Sequence, residues 1–227
     1  MSKTVTQIKA ELRARVTPGK KELLQRYFKT GKGEYGEGDK FLGVMVPDQR
    51  AVAKKYRDIP LPEVQELVRS GYHEERLTGF LILTYKFEKA EEEARREIYD
   101  FYYKNRRHAN NWDLVDLSSH KIMGHYLLDK KRDALYKLAR SKNVWDRRIA
   151  MISTFAFIDH SDFEDALKIA EILVHDEHDL IHKAVGWVLR EVGKKDAEAE
   201  RRFLRKYHKT MPRVMYRYAT EKGVTEK

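Results

Sequence analysis

Apolar side chains recur at every third or fourth position through most of the chain. The spacing is clear at Leu77, Phe80 and Leu81, and again at Leu135 and Leu138. A period between three and four residues is that of an amphipathic helix, whereas a half-buried strand alternates at every second residue. The pattern therefore predicts helices rather than strands.

Proline and glycine indicate where these helices begin and end. The five prolines leave residues 63–211 without one, so that stretch is open to continuous helical structure. Helix starts are predicted at Thr17-Pro18, at Leu61-Pro62 and at Ser161–Glu164, where the last fits a capping box. Residues 31–40 (GKGEYGEGDK) are predicted to form a loop, because the glycines oppose a helix and the charges oppose burial.

The segments between these breaks give roughly ten to twelve helices with short connections. Paired helices of this length indicate an α-solenoid with a repeat of about 40 residues, whose concave face forms an extended groove. A compact helical bundle has the same periodicity and stays open as an alternative. We interpret residues 1–227 as a single domain of the all-α class.

Charge changes this picture by pointing to a partner. The 46 Lys and Arg residues exceed the 36 Asp and Glu residues, for a formal net charge of +10. Such an excess favours a polyanion, either nucleic acid or an acidic membrane surface. The groove of the predicted solenoid is accordingly expected to be basic.

Cysteine is absent, which excludes disulfides, cysteine-based zinc sites and thiol catalysis. The N-terminal segment MSKTVTQIKAELRARV lacks the apolar core of a signal peptide, and no run of about 18 apolar residues exists. We therefore expect a cytoplasmic protein with no membrane span.

Each of the three tryptophans stands near a charged residue at helical spacing, which places the two on one helix face. The pairs are Trp112 with Asp116, Trp145 with Arg148, and Trp187 with Arg190. A tryptophan at such spacing is most often a core anchor, and Trp145 fits that role best because its neighbours are apolar.

Five segments together resemble the AlkD-like DNA alkylation repair family. They are NNWDLVD (110–116), NVWDRRIAM (143–151), IHKAVGWVLRE (181–191), FLGVMVPDQRAVAK (41–54) and MPRVMYRYATEK (211–222). The resemblance implies a superhelix of HEAT-like repeats. It also implies a monofunctional DNA glycosylase of base excision repair, which hydrolyses the N-glycosidic bond of cationic N3- or N7-alkylated purines in duplex DNA.

The family's functional residues match this sequence position by position. Its catalytic aspartate matches Asp116, its two tryptophans match Trp112 and Trp187, and the arginine that supports the acid and contacts the DNA backbone matches Arg148. A carboxylate suits this chemistry because it stabilises a cationic sugar and orients water, and indole faces attract a cation.

Further residues are assigned to DNA contact, either by the resemblance or as basic side chains suited to phosphates. They are Tyr27, Arg147, Lys183, Arg190 and Arg213. We expect damaged double-stranded DNA as the partner of a monomer, with no cofactor and no metal. His178 and His182 have zinc-like spacing, but no third ligand is evident.

Two alternative functions stay open, as does the role of one glycine. A HEAT-like module that binds DNA without catalysis would keep the basic groove and not need Asp116. A protein-interaction scaffold is also possible for a solenoid, although the positive charge argues against it. For Gly186, beside Trp187, close helix packing and close approach of DNA explain the residue equally well.

Overall fold

The computed structural model describes residues 2–221, and these residues form helices joined by turns and loops. The only β contact among them is an isolated bridge between Lys40 and Tyr72. The all-α prediction is therefore confirmed. The helices are α1 (Lys3–Arg13), α2 (Lys20–Tyr27), α3 (Val46–Lys55), α4 (Leu61–Val68), α5 (His73–Lys89), α6 (Glu92–Asn105), α7 (Trp112–Asp116), α8 (Asp133–Ala139), α9 (Val144–Ser153), α10 (Phe155–Asp159), α11 (Glu164–Leu173), α12 (Asp179–Lys195), α13 (Ala197–Tyr207) and α14 (Arg213–Thr220).

The chain divides into two compact units, the first ending at Ile122 and the second beginning at Met123. The interpretation of residues 1–227 as one domain stays a prediction. The HEAT-like repeat and the concave basic groove also stay predictions.

Helix α5 is the centre of the first unit. Every residue from His73 to Thr84 is buried, and the helix packs against α3, α4, α6 and α7. A helix that is buried on all sides is normally apolar all round. The first turn of α5 is instead His-Glu-Glu-Arg (73–76), so each of these polar groups needs a partner inside the protein.

Helix α12 holds the second unit together by packing against α9, α13 and α14. A Cβ added at Gly186 would collide with the carbonyl oxygen of Met215 and with Tyr218, both on α14. Of the two explanations for Gly186, the structure therefore favours close helix packing.

The predicted helix starts have mixed outcomes. Helix α4 does begin at Leu61. The prediction at Thr17-Pro18 is wrong, because α2 begins at Lys20, after Gly19 with its φ of 74°. The capping box at Ser161–Glu164 is also wrong: Ser161 has a φ of 59° and donates its N–H to Ile158, which places it at the end of α10.

In the described part of the chain, no helix is both long enough and apolar enough to cross a membrane.

Candidate active site

Helix α7 carries two of the predicted catalytic residues one turn apart. The side chain of Asn111 precedes the helix and accepts a hydrogen bond from the backbone N–H of Trp112 at 2.9 Å. Leu114 and Val115 are buried, whereas Trp112 and Asp116 are half-buried. The short helix thus anchors its apolar side and leaves an indole and a carboxylate partly accessible.

The indole of Trp112 belongs to an aromatic cluster. It stacks on Phe28 with 5.1 Å between ring centroids, and Tyr27 meets its edge at 5.8 Å. Phe28 in turn stacks on Phe41 and lies 4.9 Å from the ring of His73. Phe28 is buried and Tyr27 is 63% exposed, so the cluster runs from the interior to the surface. Two residues of the resemblance, Tyr27 and Trp112, are thereby brought together.

Below this cluster lies a buried network of charges. The Nδ1 of His73 is 2.8 Å from a carboxylate oxygen of Asp39, and its Nε2 is 2.8 Å from one of Asp113. Arg76 pairs with the other oxygen of Asp39 at 2.6 Å. Asp39 belongs to residues 31–40, and the prediction that these residues form a loop is confirmed. The expectation that the charged residues of this loop stay out of the interior is wrong for Asp39, which is 8% exposed.

The network sets the ionisation of its members. Burial lowers the pKa of His73, but the carboxylates of Asp113 and Asp39 outweigh it and raise that pKa to about 9. Burial also raises the pKa of Asp39, yet His73 and Arg76 hold it below its usual value. Both pKa shifts favour a charged His73 beside a charged Asp39 at neutral pH.

A buried tyrosine, Tyr102, contacts a residue that follows α7 and is influenced by the charge of Asp116. The hydroxyl of Tyr102 is 3.0 Å from that of Ser118. Burial raises the pKa of Tyr102 most strongly, the hydrogen bond between its hydroxyl and that of Ser118 lowers it, and the charge of Asp116 raises it again. Tyr102 is therefore a neutral hydroxyl group at neutral pH.

In the second unit, the predicted arginine and tryptophan lie on two helices that pack together, α9 and α12. Arg148 is buried and donates a hydrogen bond to the carbonyl oxygen of Leu180, at the start of α12. Trp187 is half-buried and lies against Phe155 at 4.7 Å. Trp145 is 7% exposed, which confirms the prediction that it is a core residue.

Most of the basic residues assigned to DNA contact have acidic partners within the protein. Arg147 holds Asp176 through two nitrogens, at 2.5 and 3.2 Å. Lys183 pairs with Asp179, and Arg190 lies near Glu191 and Glu221. An anion at these positions would compete with a carboxylate. Arg213 is exposed and lines a surface pocket of about 430 Å³ with His208, Met211, Val214, Tyr216 and Arg217.

The two histidines with zinc-like spacing have structural roles. His178 accepts a hydrogen bond from the N–H of Leu180 and so caps α12, while His182 donates to the carbonyl oxygen of Asp176. Across residues 2–221, no three His, Asp or Glu side chains are grouped so that they could hold a metal ion.

The sequence predictions did not include the network of His73, Asp39 and Asp113. A weak signal was present, because HEER opens an otherwise apolar helical segment and Asp113 directly follows Trp112. Neither motif indicates which residues pair with each other, since 34 and 40 residues separate His73 from the two acids.

The protein is thus an all-α protein in which a short helix presents an indole and a carboxylate. A family model described as DNA alkylation repair enzyme matches residues 8–222. The chain therefore belongs to that family, and membership supports a role in the repair of alkylated DNA.

The fold is similar to a solved structure described as a predicted DNA alkylation repair enzyme from Enterococcus faecalis. The TM-score is 0.68 at 15% sequence identity, and the match covers 93% of this chain and 98% of that one. At this identity the likeness speaks for the fold alone. No curated protein matches the chain.

Proposed function

We propose that this chain is a monofunctional DNA glycosylase that removes cationic N3- and N7-alkylated purines from duplex DNA. The observation that carries the proposal is α7, which presents the indole of Trp112 and the carboxylate of Asp116 one helical turn apart, both half-buried. The family membership adds the setting of alkylation repair.

The leaving base needs little assistance from the enzyme. An alkylated purine already carries a positive charge, so when the C1′–N bond breaks its electron pair neutralises the purine. The deoxyribose is left with the character of an oxocarbenium ion. A water oxygen then bonds to C1′, and its proton passes to a base or to solvent.

Asp116 is proposed both to stabilise the cationic sugar and to activate the attacking water. Its negative charge stabilises the developing cation, and it orients and deprotonates the water. Glycosidases use carboxylates against a similar transition state. The Trp112 indole offers a π face to the cation, an attraction of about 0.5 to 2 kcal/mol.

Two further assigned residues, Trp187 and Arg148, belong to the second unit. By the family resemblance, Trp187 takes the part of the second indole, and Arg148 contacts the DNA backbone, for which a planar guanidinium is suited. Tyr27, which touches Trp112 and is largely exposed, is proposed to contact the same DNA.

The test is release of 7-methylguanine from methylated duplex DNA by the wild-type chain and by Asp116→Asn. We expect the substitution to lower the rate at least about 100-fold, as for loss of a general base, with DNA affinity retained. The matched control is Asp58→Asn in the same unit, where the carboxylate is 89% exposed; its rate should equal that of the wild type.

Two results would contradict the proposal. Release by Asp116→Asn at the wild-type rate would remove Asp116 from the mechanism. DNA binding by a wild-type chain that releases no base would instead identify a binding module without catalysis.

A further inference from the structure

His73 connects three separate segments of the first unit at one buried point. Its ring lies between Asp39, in the loop over residues 31–40, and Asp113, in the first turn of α7. The side chains of all three residues are at most 7% exposed. Solvent therefore contributes little to their hydrogen bonding.

The geometry at the ring favours a doubly protonated imidazole. Each ring nitrogen faces a carboxylate oxygen at 2.8 Å, and a carboxylate only accepts hydrogen bonds. A neutral imidazole has one N–H, so its second nitrogen would direct a lone pair at an oxygen. With both nitrogens protonated, His73 and Arg76 balance the charges of Asp39 and Asp113, which is the condition for burying such charges.

Two physical paths lead from this ring to the candidate active site. The first runs through Asp113, which binds His73 with one carboxylate oxygen and accepts the N–H of Leu114 with the other, at 2.8 Å. The second runs through Phe28, whose ring lies against that of His73 and stacks on Trp112. Both fix the start of the helix that ends at Asp116.

We propose that His73 is a positioning residue for Trp112 and Asp116: clamped between Asp39 and Asp113, it sets the place of α7 without touching the substrate. The expected effect on the rate of base release rests on the proposed glycosylase function. The expected effect on the position of α7 rests only on the contacts around the His73 ring. A misplacement of about 1 Å at reacting groups can cost about 100-fold in rate, so a clamp of this kind has kinetic value.

The next residue of α5, Glu74, provides a matched control. It is also fully buried, and it accepts the backbone N–H groups of Leu42, Gly43 and Val44 at 2.7–3.2 Å. These hydrogen bonds join α5 to the segment before α3 and do not involve α7. Weakening Glu74 should therefore destabilise the unit while leaving intact the two contact paths from His73 to α7.

The kinetic test compares His73→Phe, Asp113→Asn and Glu74→Gln at a temperature where circular dichroism shows every variant folded. His73→Phe keeps an aromatic ring at this position but removes the cation beside Asp113 and leaves Asp39 with Arg76 alone. Asp113→Asn is the milder change, because the asparagine can still donate a hydrogen bond to a neutral His73. If His73→Phe does not fold, the comparison of Asp113→Asn with Glu74→Gln decides the test.

We expect the variants of the clamp to lower kcat for base release at least about tenfold, with KM changed less than about threefold. Glu74→Gln should lower the urea midpoint while kcat stays within about twofold of wild type. Equal kcat losses in Asp113→Asn and Glu74→Gln would overturn the positioning role and leave His73 a stabilising residue only.

A second measurement does not depend on activity. The full chain labelled with 5-fluorotryptophan gives one fluorine signal for each of Trp112, Trp145 and Trp187, assigned by single Trp→Phe changes. We expect Asp113→Asn to shift or broaden the Trp112 signal and to leave the other two in place, and Glu74→Gln to move none of them.

The two experiments separate the two proposals. A Trp112 signal that does not respond to Asp113→Asn contradicts the positioning role whatever the activity is. A wild-type chain that releases no base contradicts the glycosylase proposal, while the fluorine spectrum still decides whether His73 positions Trp112.

Discussion

At the scale of single residues, the first unit depends on one histidine being charged. An isolated buried charge is very unfavourable, and the network of His73, Arg76 and their two acids is tolerated because each cation contacts an anion. Removing one member leaves the others uncompensated, which costs more than the intact network contributes. Stability should accordingly depend on conditions that change the charge of this ring.

We predict that the free energy of unfolding falls as the pH rises from 7 through about 9. The pKa of His73 is raised from 6.5 to about 9 on folding. A raised pKa stabilises the folded state fully below the unfolded value and ceases to do so above the folded one. The loss should reach up to about 3 kcal/mol, measured by urea unfolding at pH 7 and at about pH 10.

The control is Asp113→Asn, in which the decline over the same pH range should be smaller because one of the two acids is neutral. Nitrogen-15 spectra of the histidine rings provide a direct check: both ring nitrogens of His73 should carry protons at pH 7. A neutral His73 ring at pH 7 would contradict the prediction.

Individual residues differed in how well the sequence revealed them. Trp112 and Asp116 stand out because chemistry-bearing types recur at helical spacing within a recognisable segment. His73 does not, since its partners are distant in sequence and a histidine opening a helix looks like an exposed polar residue. Pairing across the fold is a property of packing, and local patterns do not encode it.

At the scale of helices, periodicity was the reliable signal, whereas of the predicted helix starts only that at Leu61-Pro62 was correct. The spacing of Leu77, Phe80 and Leu81 correctly predicts a helix at α5, because the helical repeat is a local property of the chain. The predicted caps at Thr17 and Ser161 failed, because Gly19 and Ser161 adopt left-handed conformations that displace the helix starts. Such conformations are set by the tertiary path of the chain.

The contact between α12 and α14 gives a prediction at this scale. Gly186→Ala should lower the free energy of unfolding by about 1 to 3 kcal/mol, because the added methyl group meets backbone and side-chain atoms of α14 that have no space to withdraw. The measurement is urea unfolding at pH 7.

The control lies on the same helix. At Gly193 an added Cβ would meet the carboxylate end of Glu200, which is the far end of a flexible side chain. Gly193→Ala should therefore be neutral or stabilising by up to about 1 kcal/mol through helix propensity. A Gly186→Ala chain as stable as the wild type would mean that the two helices are not tightly packed there.

At the scale of the whole molecule, the sequence predicts the class of fold and the sign of the charge. A net charge of +10 on an all-α chain of the alkylation repair family fits a partner rich in phosphate. It does not identify the individual phosphate contacts, since Arg147, Lys183 and Arg190 have carboxylate partners that compositional reasoning does not reveal.

We predict that affinity for duplex DNA falls steeply with salt. Each phosphate neutralised should contribute about −0.9 to the slope of log K against log salt concentration. Arg213→Gln, at an exposed residue beside the α14 pocket, should reduce the slope by about one such unit.

Arg96→Gln is the control, because that side chain is 74% exposed on α6 and is not among the residues assigned to DNA. Its slope should equal that of the wild type. An affinity that does not change between low and physiological salt would contradict a phosphate-driven interface.

The long sequence separations at His73 also bear on how the protein is made. On the ribosome, His73 is synthesised 34 residues after Asp39 and 40 residues before Asp113. A nascent chain can join the first two but has no acid to complete the clamp until the segment containing Trp112 follows. We therefore expect α7 to pack onto the first unit late in synthesis. An unfinished polypeptide would then lack an organised candidate active site until the first unit is nearly complete.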